Sequence, residues 1–411
     1  MSTIHAETAL LPDGWMENVL IDLGGDGRIA TVTQHVTGTA AEIHVSCLLP
    51  APVNAHSHAF QRAMAGLTEN RSNNSTDSFW TWRELMYRFL DQLTPDHVEA
   101  IAALVQMEML ESGYATNVEF HYLHHAPGGS AYDNQSEMAE RIMAATATTG
   151  IGLTMLPVHY QYGGCDMRPL ARGQCRFHND LGGFAALCDG VKNGLGNLPA
   201  DTVFGVAPHS LRAVLPSSLD FTRQLADGGP FHMHLAEQSA EVEEVCHHLG
   251  ARPVEWMLDN FEAGTDCCFI HCTQMQPHET SGLAASGAVA GLCPITEASL
   301  GDGVFDGVSW FDAGGMIAIG SDSNIRISLS EELRSLEYTQ RLRDRSRAAM
   351  ATSTASTGRH ILNAMIAGGA QAAGRHTGQI ASGYWADLMA LDTESVTLVG
   401  RTKDQLIDSF I

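Results

Sequence analysis

From Val53 to Asp322 the sequence alternates short apolar runs with helical stretches, and this rhythm limits the fold more than any other feature. The apolar runs begin at Val53 and continue with Thr116 to Leu123, a run ending at Pro157-Val158-His159-Tyr160, and Val203 to His209. Phe231 to Glu237, Cys267 to Cys272, Ala288 to Cys293 and Met316 to Asp322 bring the number to eight. Between them lie segments with helical spacing. The clearest starts at Thr94-Pro95-Asp96, with Thr as N-cap and Pro at the first helical position, and ends near Gly113. Others are expected over Gln135 to Thr148, Leu181 to Leu195 and Glu241 to Leu249. Strands that alternate with helices pair in parallel through crossover connections, and eight such units close into a (β/α)₈ barrel of the α/β class. The long insertions at 66–93, 124–134 and 160–178 are expected as loops over one face of that barrel.

The flanks follow a different pattern. Val19 to Leu23 and Arg28 to Val32 bracket a Gly24-Gly25-Asp26-Gly27 turn, a hairpin signal, and Ala40 to Leu49 is a further strand candidate. Short strands and turns return from Thr377 to Leu391. The expected organisation is therefore a small discontinuous β domain from 1–49 and 377–411 around a barrel spanning 50–376.

A length of 411 residues suits an α/β barrel read as one unit. The formal net charge of −24 argues against nucleic acid and anionic membrane as partners, because phosphates need a basic surface. No run approaches the roughly 18 apolar residues of a membrane span. Met1 to Asp13 carries acidic residues and no basic region ahead of an apolar segment, so no signal peptide is read there. The nine cysteines are scattered in apolar surroundings, which reads as reduced thiols in a cytoplasmic protein. Cys267-Cys268 and Cys272 lack zinc-finger spacing and read as core.

Ionisable residues gather where barrel enzymes place their chemistry, at the C-terminal ends of the strands. Strand one ends in His56-Ser57-His58, and residues i and i+2 of a strand share a face, so both imidazoles can reach one ion. Strand four ends in His209, strand five in His234-Leu235-Ala236-Glu237, strand six in His271 and strand eight in Asp322. His56, His58, His234 and Asp322 supply the N and O ligands of one divalent ion, with Zn²⁺ the expected metal ahead of iron or manganese. Such an ion lowers the pKa of water towards ~7. Glu237, three residues past His234, is placed as general acid/base, with His271 and Asp322 orienting the nucleophile and balancing charge.

His56-x-His58, His234-x-x-Glu237, His271 and Ser321-Asp322 resemble the amidohydrolase superfamily in its deaminase branch, as does the tail Gly378-x-Ile380-x-x-Gly383-x-x-Ala386-Asp387-Leu388. The resemblance implies a distorted (β/α)₈ barrel with a small β domain. Binuclear members carry a lysine after strand four. Here that strand ends Ala207-Pro208-His209-Ser210-Leu211-Arg212, so a mononuclear site is expected. Within the branch, the segments Asn54 to Arg62, Phe79 to Arg83, Glu119 to His125, Ala207 to Arg212 and His234 to Gln238 resemble the formimidoylglutamate deiminase family. That likeness implies Gln61, Arg83, Tyr122, His209 and Arg212 as substrate-binding residues, and hydrolysis of N-formimidoyl-L-glutamate to N-formyl-L-glutamate and ammonia in histidine breakdown.

The chemistry agrees with that substrate: guanidinium pairs bidentately with carboxylate, and a dicarboxylate suits Arg83 and Arg212 on separate loops. Trp80 and Trp82 read as core or loop anchors, His124-His125 and His247-His248 as structural, and Glu244 as part of a solvated helix face. The resemblance also implies further strands beyond Asp408-Ser409-Phe410-Ile411, so the expectation is either a truncated sequence or a reduced small domain. Two other readings stand beside the main one. A deaminase of a guanine-like ring would show fewer arginines and more stacking aromatics, and a non-catalytic barrel would lack metal and activity. A homodimer is left open.

Overall fold

A computed structural model of the chain describes residues 2–37, 40–69 and 79–411. A five-stranded sheet contains β1 (Thr3–Leu11), β2 (Gly14–Leu23), β3 (Ile29–Thr33) and β4 (Ile43–Pro50), and is completed by the late strand β14 (Leu388–Leu391), in the order β14-β4-β1-β2-β3. β2 and β3 pair antiparallel across the turn foreseen at 24–27, where Gly27 has φ 84°, a left-handed conformation that favours glycine. Ile4, Ala6, Val19, Ile21 and Ile29 bury one face of this sheet as its own core.

The barrel strands are β5 (Val53–Ser57), β6 (Thr116–His121), β7 (Gly152–His159), β8 (Val203–Phe204), β9 (Ala207–Pro208), β10 (Phe231–Leu235), β11 (Cys267–His271), β12 (Val289–Leu292) and β13 (Met316–Ile319). All pair in parallel, running from β10 through β13 to β5 and on to β7 and β8. The bridge between Val206 and Phe231 joins the two ends, with the His232 amide donating to the Val206 carbonyl at 3.1 Å. The fold is thus the eight-stranded α/β barrel foreseen.

Three local expectations are corrected. Strand four, expected unbroken from Val203 to His209, is split into β8 and β9. The gap lies opposite Leu156-Pro157 of β7, where proline has no N–H to give the ladder. At Gly205 in the gap, a Cβ would meet the Pro230 carbonyl at 2.5 Å, so only glycine lets the chain pass there. The insertion at 66–93, expected as loop, contains a helix, Phe79–Leu90. Arg83 accordingly stands on a helix, while Arg212 lies in a loop beyond β9. The Trp80 side chain lies outside the described residues. Glu244, read as solvated, is tied down instead: it accepts from the Cys165 amide at 3.1 Å and pairs with Arg168 at 2.8 Å. Among the described residues no helix is long and apolar enough to cross a membrane.

Candidate active site

The strand ends converge on one side of the barrel. His56 and His58 sit at and just past the end of β5, where pairing with β6 shifts register between Asn54 and Ser57. His58 Nδ1 lies 2.9 Å from the Phe120 carbonyl, and His234 Nδ1 lies 3.0 Å from the His209 carbonyl. A carbonyl only accepts, so both Nδ1 atoms carry the proton and both Nε2 lone pairs point into the site. His56 Nε2 stands 3.2 Å from His234 Nε2. Asp322 Oδ1 lies 3.3 Å from His58 Nε2 and 3.6 Å from His56 Nε2. Burial and the charge of neighbouring histidines hold the pKa of His56 and His234 well below the usual histidine value; burial takes His58 down to about 3. Neutral imidazoles and a carboxylate crowded in this way present lone pairs to one another. The donor set fits a divalent cation, and His56, His58, His234 and Asp322 would hold it.

Glu237 follows at the end of β10. Its Oε1 lies 3.8 Å from His271 Nε2 and its Oε2 lies 3.7 Å from Arg212 Nη2. The turn that presents it is strained at Ala236, with φ 53°, and two neighbouring strand ends share the feature, His271 at φ 73° and Asp322 at φ 47°, all left-handed conformations unusual for non-glycine residues. Hydrogen bonds keep the turn in place. The Glu237 amide donates to Glu241 at 2.9 Å, and its carbonyl accepts from Thr273 Oγ1 at 2.7 Å.

Burial alone would lower the pKa of His271, but Glu237, Glu297 and Asp322 outweigh it and raise the value to about 10. His271 Nδ1 pairs with Glu297 Oε1 at 3.2 Å while Nε2 faces Asp322 Oδ2 at 3.9 Å. Glu297 was not foreseen. It stands on the helix Pro294–Leu300 directly after β12, and the only trace in the sequence is a carboxylate four residues past the end of the seventh strand run.

The other residues singled out line the same cavity above these groups. Gln61 Nε2 donates to the Tyr122 hydroxyl at 2.6 Å. The His209 ring lies edge-on to Tyr160 at 4.7 Å and 4.8 Å from His234. Arg83 Nε donates to the Tyr87 hydroxyl and Nη2 to the Tyr160 hydroxyl at 3.2 Å. Tyr87, Tyr160, Phe177 and Trp82 complete the wall. Tyr87 and Phe177 come from the insertions, whose sequences carry no strand-end signal, whereas Tyr160 closes the third strand run; Trp82 proves to be a lining residue as well.

The profile of the Amidohydrolase family matches residues 47–409, and that of the "Formimidoylglutamate deiminase HutF, N-terminal domain" matches residues 1–44. The chain is 42% identical to a formimidoylglutamate deiminase of Pseudomonas aeruginosa, over 100% of this chain and 90% of the relative. It is 26% identical to a 5-methylthioadenosine/S-adenosylhomocysteine deaminase of Natronomonas pharaonis, over 90% of this chain and 78% of that one. A crystal structure of an amidohydrolase from Brucella melitensis superposes with a TM-score of 0.96 at 45% identity, covering 100% of this chain and 91% of that one. An atrazine chlorohydrolase from Arthrobacter aurescens, crystallised with zinc, shares the fold at a TM-score of 0.83 and 18% identity, over 100% of this chain and 91% of that one. The strand-end histidines, the family profile and the full-length relatives agree: the chain belongs to the amidohydrolase family, in the group of the formimidoylglutamate deiminases.

Proposed function

We propose that this chain hydrolyses N-formimidoyl-L-glutamate to N-formyl-L-glutamate and ammonia, a step of histidine breakdown, in the cytoplasm. The observation that carries the reading is the pairing of Arg83 and Arg212 in one cavity above the histidine cluster. A substrate with two carboxylates and a reacting amidine needs two cations at a distance from the hydrolytic centre, and guanidinium suits that task. One divalent ion, taken as Zn²⁺, would supply Lewis acidity and a water of lowered pKa. The absence of a lysine after strand four supports a single ion.

Glu237 takes a proton from the attacking water as its oxygen adds to the formimino carbon, and delivers a proton to the departing nitrogen. His271, protonated and facing Glu237 and Asp322 through Nε2, steadies negative charge on the adding oxygen. The C–N bond then breaks, leaving the formyl carbonyl and ammonia. Gln61, Tyr122 and His209 hydrogen-bond the chain between the carboxylates and the formimino carbon.

Removing one buried charged partner costs roughly 2–5 kcal/mol. Arg83→Ala and Arg212→Ala are therefore each expected to lower kcat/KM for formimidoylglutamate about 30-fold or more. The loss should shrink for an analogue lacking the carboxylate that the arginine holds. Steady-state ammonia release checks this, and normal turnover by both variants would end the substrate assignment while leaving the metal cluster untouched.

A further inference from the structure

Tyr160 stands just past the end of β7, buried to 3% exposure, with its hydroxyl at the cavity wall. Two neighbours fix what that hydroxyl can do. Gln174, also buried, accepts the Ala171 amide on its Oε1 at 2.8 Å, and a backbone N–H can only donate. The amide is thereby oriented with Nε2 towards Tyr160, to which it donates at 2.8 Å. Arg83 Nη2, which can only donate, lies 3.2 Å from the same oxygen.

A tyrosine hydroxyl has two acceptor lone pairs and one proton. Gln174 and Arg83 take both lone pairs, so the proton must leave in the remaining direction. No acceptor for it is found among the described residues, and the Tyr160 ring is fixed against His209 at 4.7 Å and Phe177 at 5.6 Å. A buried donor without an acceptor is costly unless a ligand completes it.

We infer that Tyr160 is a substrate-binding, specificity-determining residue that donates its O–H to the carboxylate held by Arg83. This rests on the dicarboxylate reading above. Arg83 supplies the charge, and Tyr160, its lone pairs already filled, supplies a neutral donor that cannot turn round to become an acceptor. The pair thus selects an anion over a neutral amide or ring nitrogen bearing a proton.

Tyr160→Phe keeps the ring packing and removes only the hydroxyl. Calorimetry on metal-loaded protein, with N-formyl-L-glutamate as the dicarboxylate probe, should show its Kd rising about ten-fold or more, the scale of a hydrogen bond to a charged group. A role exerted only through Arg83 makes a different prediction, so the same change is measured in an Arg83→Ala background. Direct donation predicts a further loss there of about ten-fold. An unchanged Kd in the single variant, or no further loss in the Arg83→Ala background, overturns the inference. Ammonia release from formimidoylglutamate is read separately. Tyr160-dependent binding without turnover would remove the proposed reaction and keep this inference, whereas turnover with Tyr160-independent binding would do the reverse.

Discussion

Glu237→Gln is expected to lower kcat by about 10²–10⁴-fold, the usual contribution of a general acid/base, while leaving metal content unchanged. Glutamine fills the same space between His271 Nε2 and Arg212 Nη2, at 3.8 and 3.7 Å, so packing should survive. It cannot accept the water's proton or return one to the leaving nitrogen. The substitution also strips the His271 imidazolium of the carboxylate that contributes most to raising its pKa. Metal should stay, because Glu237 is not one of the four side chains, His56, His58, His234 and Asp322, that would hold it. Steady-state kinetics beside elemental analysis separates the two effects. A Gln variant with near-normal turnover would remove Glu237 from the proton path.

Stripping the metal should have a still larger effect, reducing ammonia release to background. The fold should persist, because the barrel is held by a continuous apolar core that includes Val53, Phe120, Leu153, Phe231 and Ile317. Reloading with Zn²⁺ should restore activity at about one ion per chain. The loop that follows strand four carries His209 and Arg212 where a bridging lysine would be needed for a second ion. A requirement for two tightly bound ions would defeat the mononuclear reading, and full activity in the stripped protein would defeat the metal reading altogether.

The parts of this site that were legible in the sequence share one physical property. His56, His58, His234, His271 and Asp322 each end an apolar run of a repeating α/β pattern, and the barrel brings like ends together. Period and position were enough to group them before any geometry was known. Tyr87 and Gln174 act through side-chain contacts set by how the insertions fold back, Tyr160 closes a strand run without an ionisable signal of the histidine or carboxylate kind, and Glu297 stands on the helix after β12; no periodicity reports their contacts. The helix Phe79–Leu90 was hidden for the same reason, lying within an insertion that offers no strand-to-strand rhythm. The break in strand four depends on the proline of a neighbouring strand and on close approach at Gly205, both non-local. Arg83 and Arg212 are marked in the sequence only by the family likeness. The structure places them around one cavity, but charge pattern alone would not have distinguished them from the other arginines.

The central claim is that the cavity is built for a linear amidine bearing two carboxylates. Ammonia release by the metal-loaded protein, measured side by side on N-formimidoyl-L-glutamate and on guanine, tests it most directly. A kcat/KM for formimidoylglutamate at least ~10²-fold above that for guanine is expected, since guanine has no carboxylates to pair with Arg83 and Arg212. Equal or preferred turnover of guanine would contradict it.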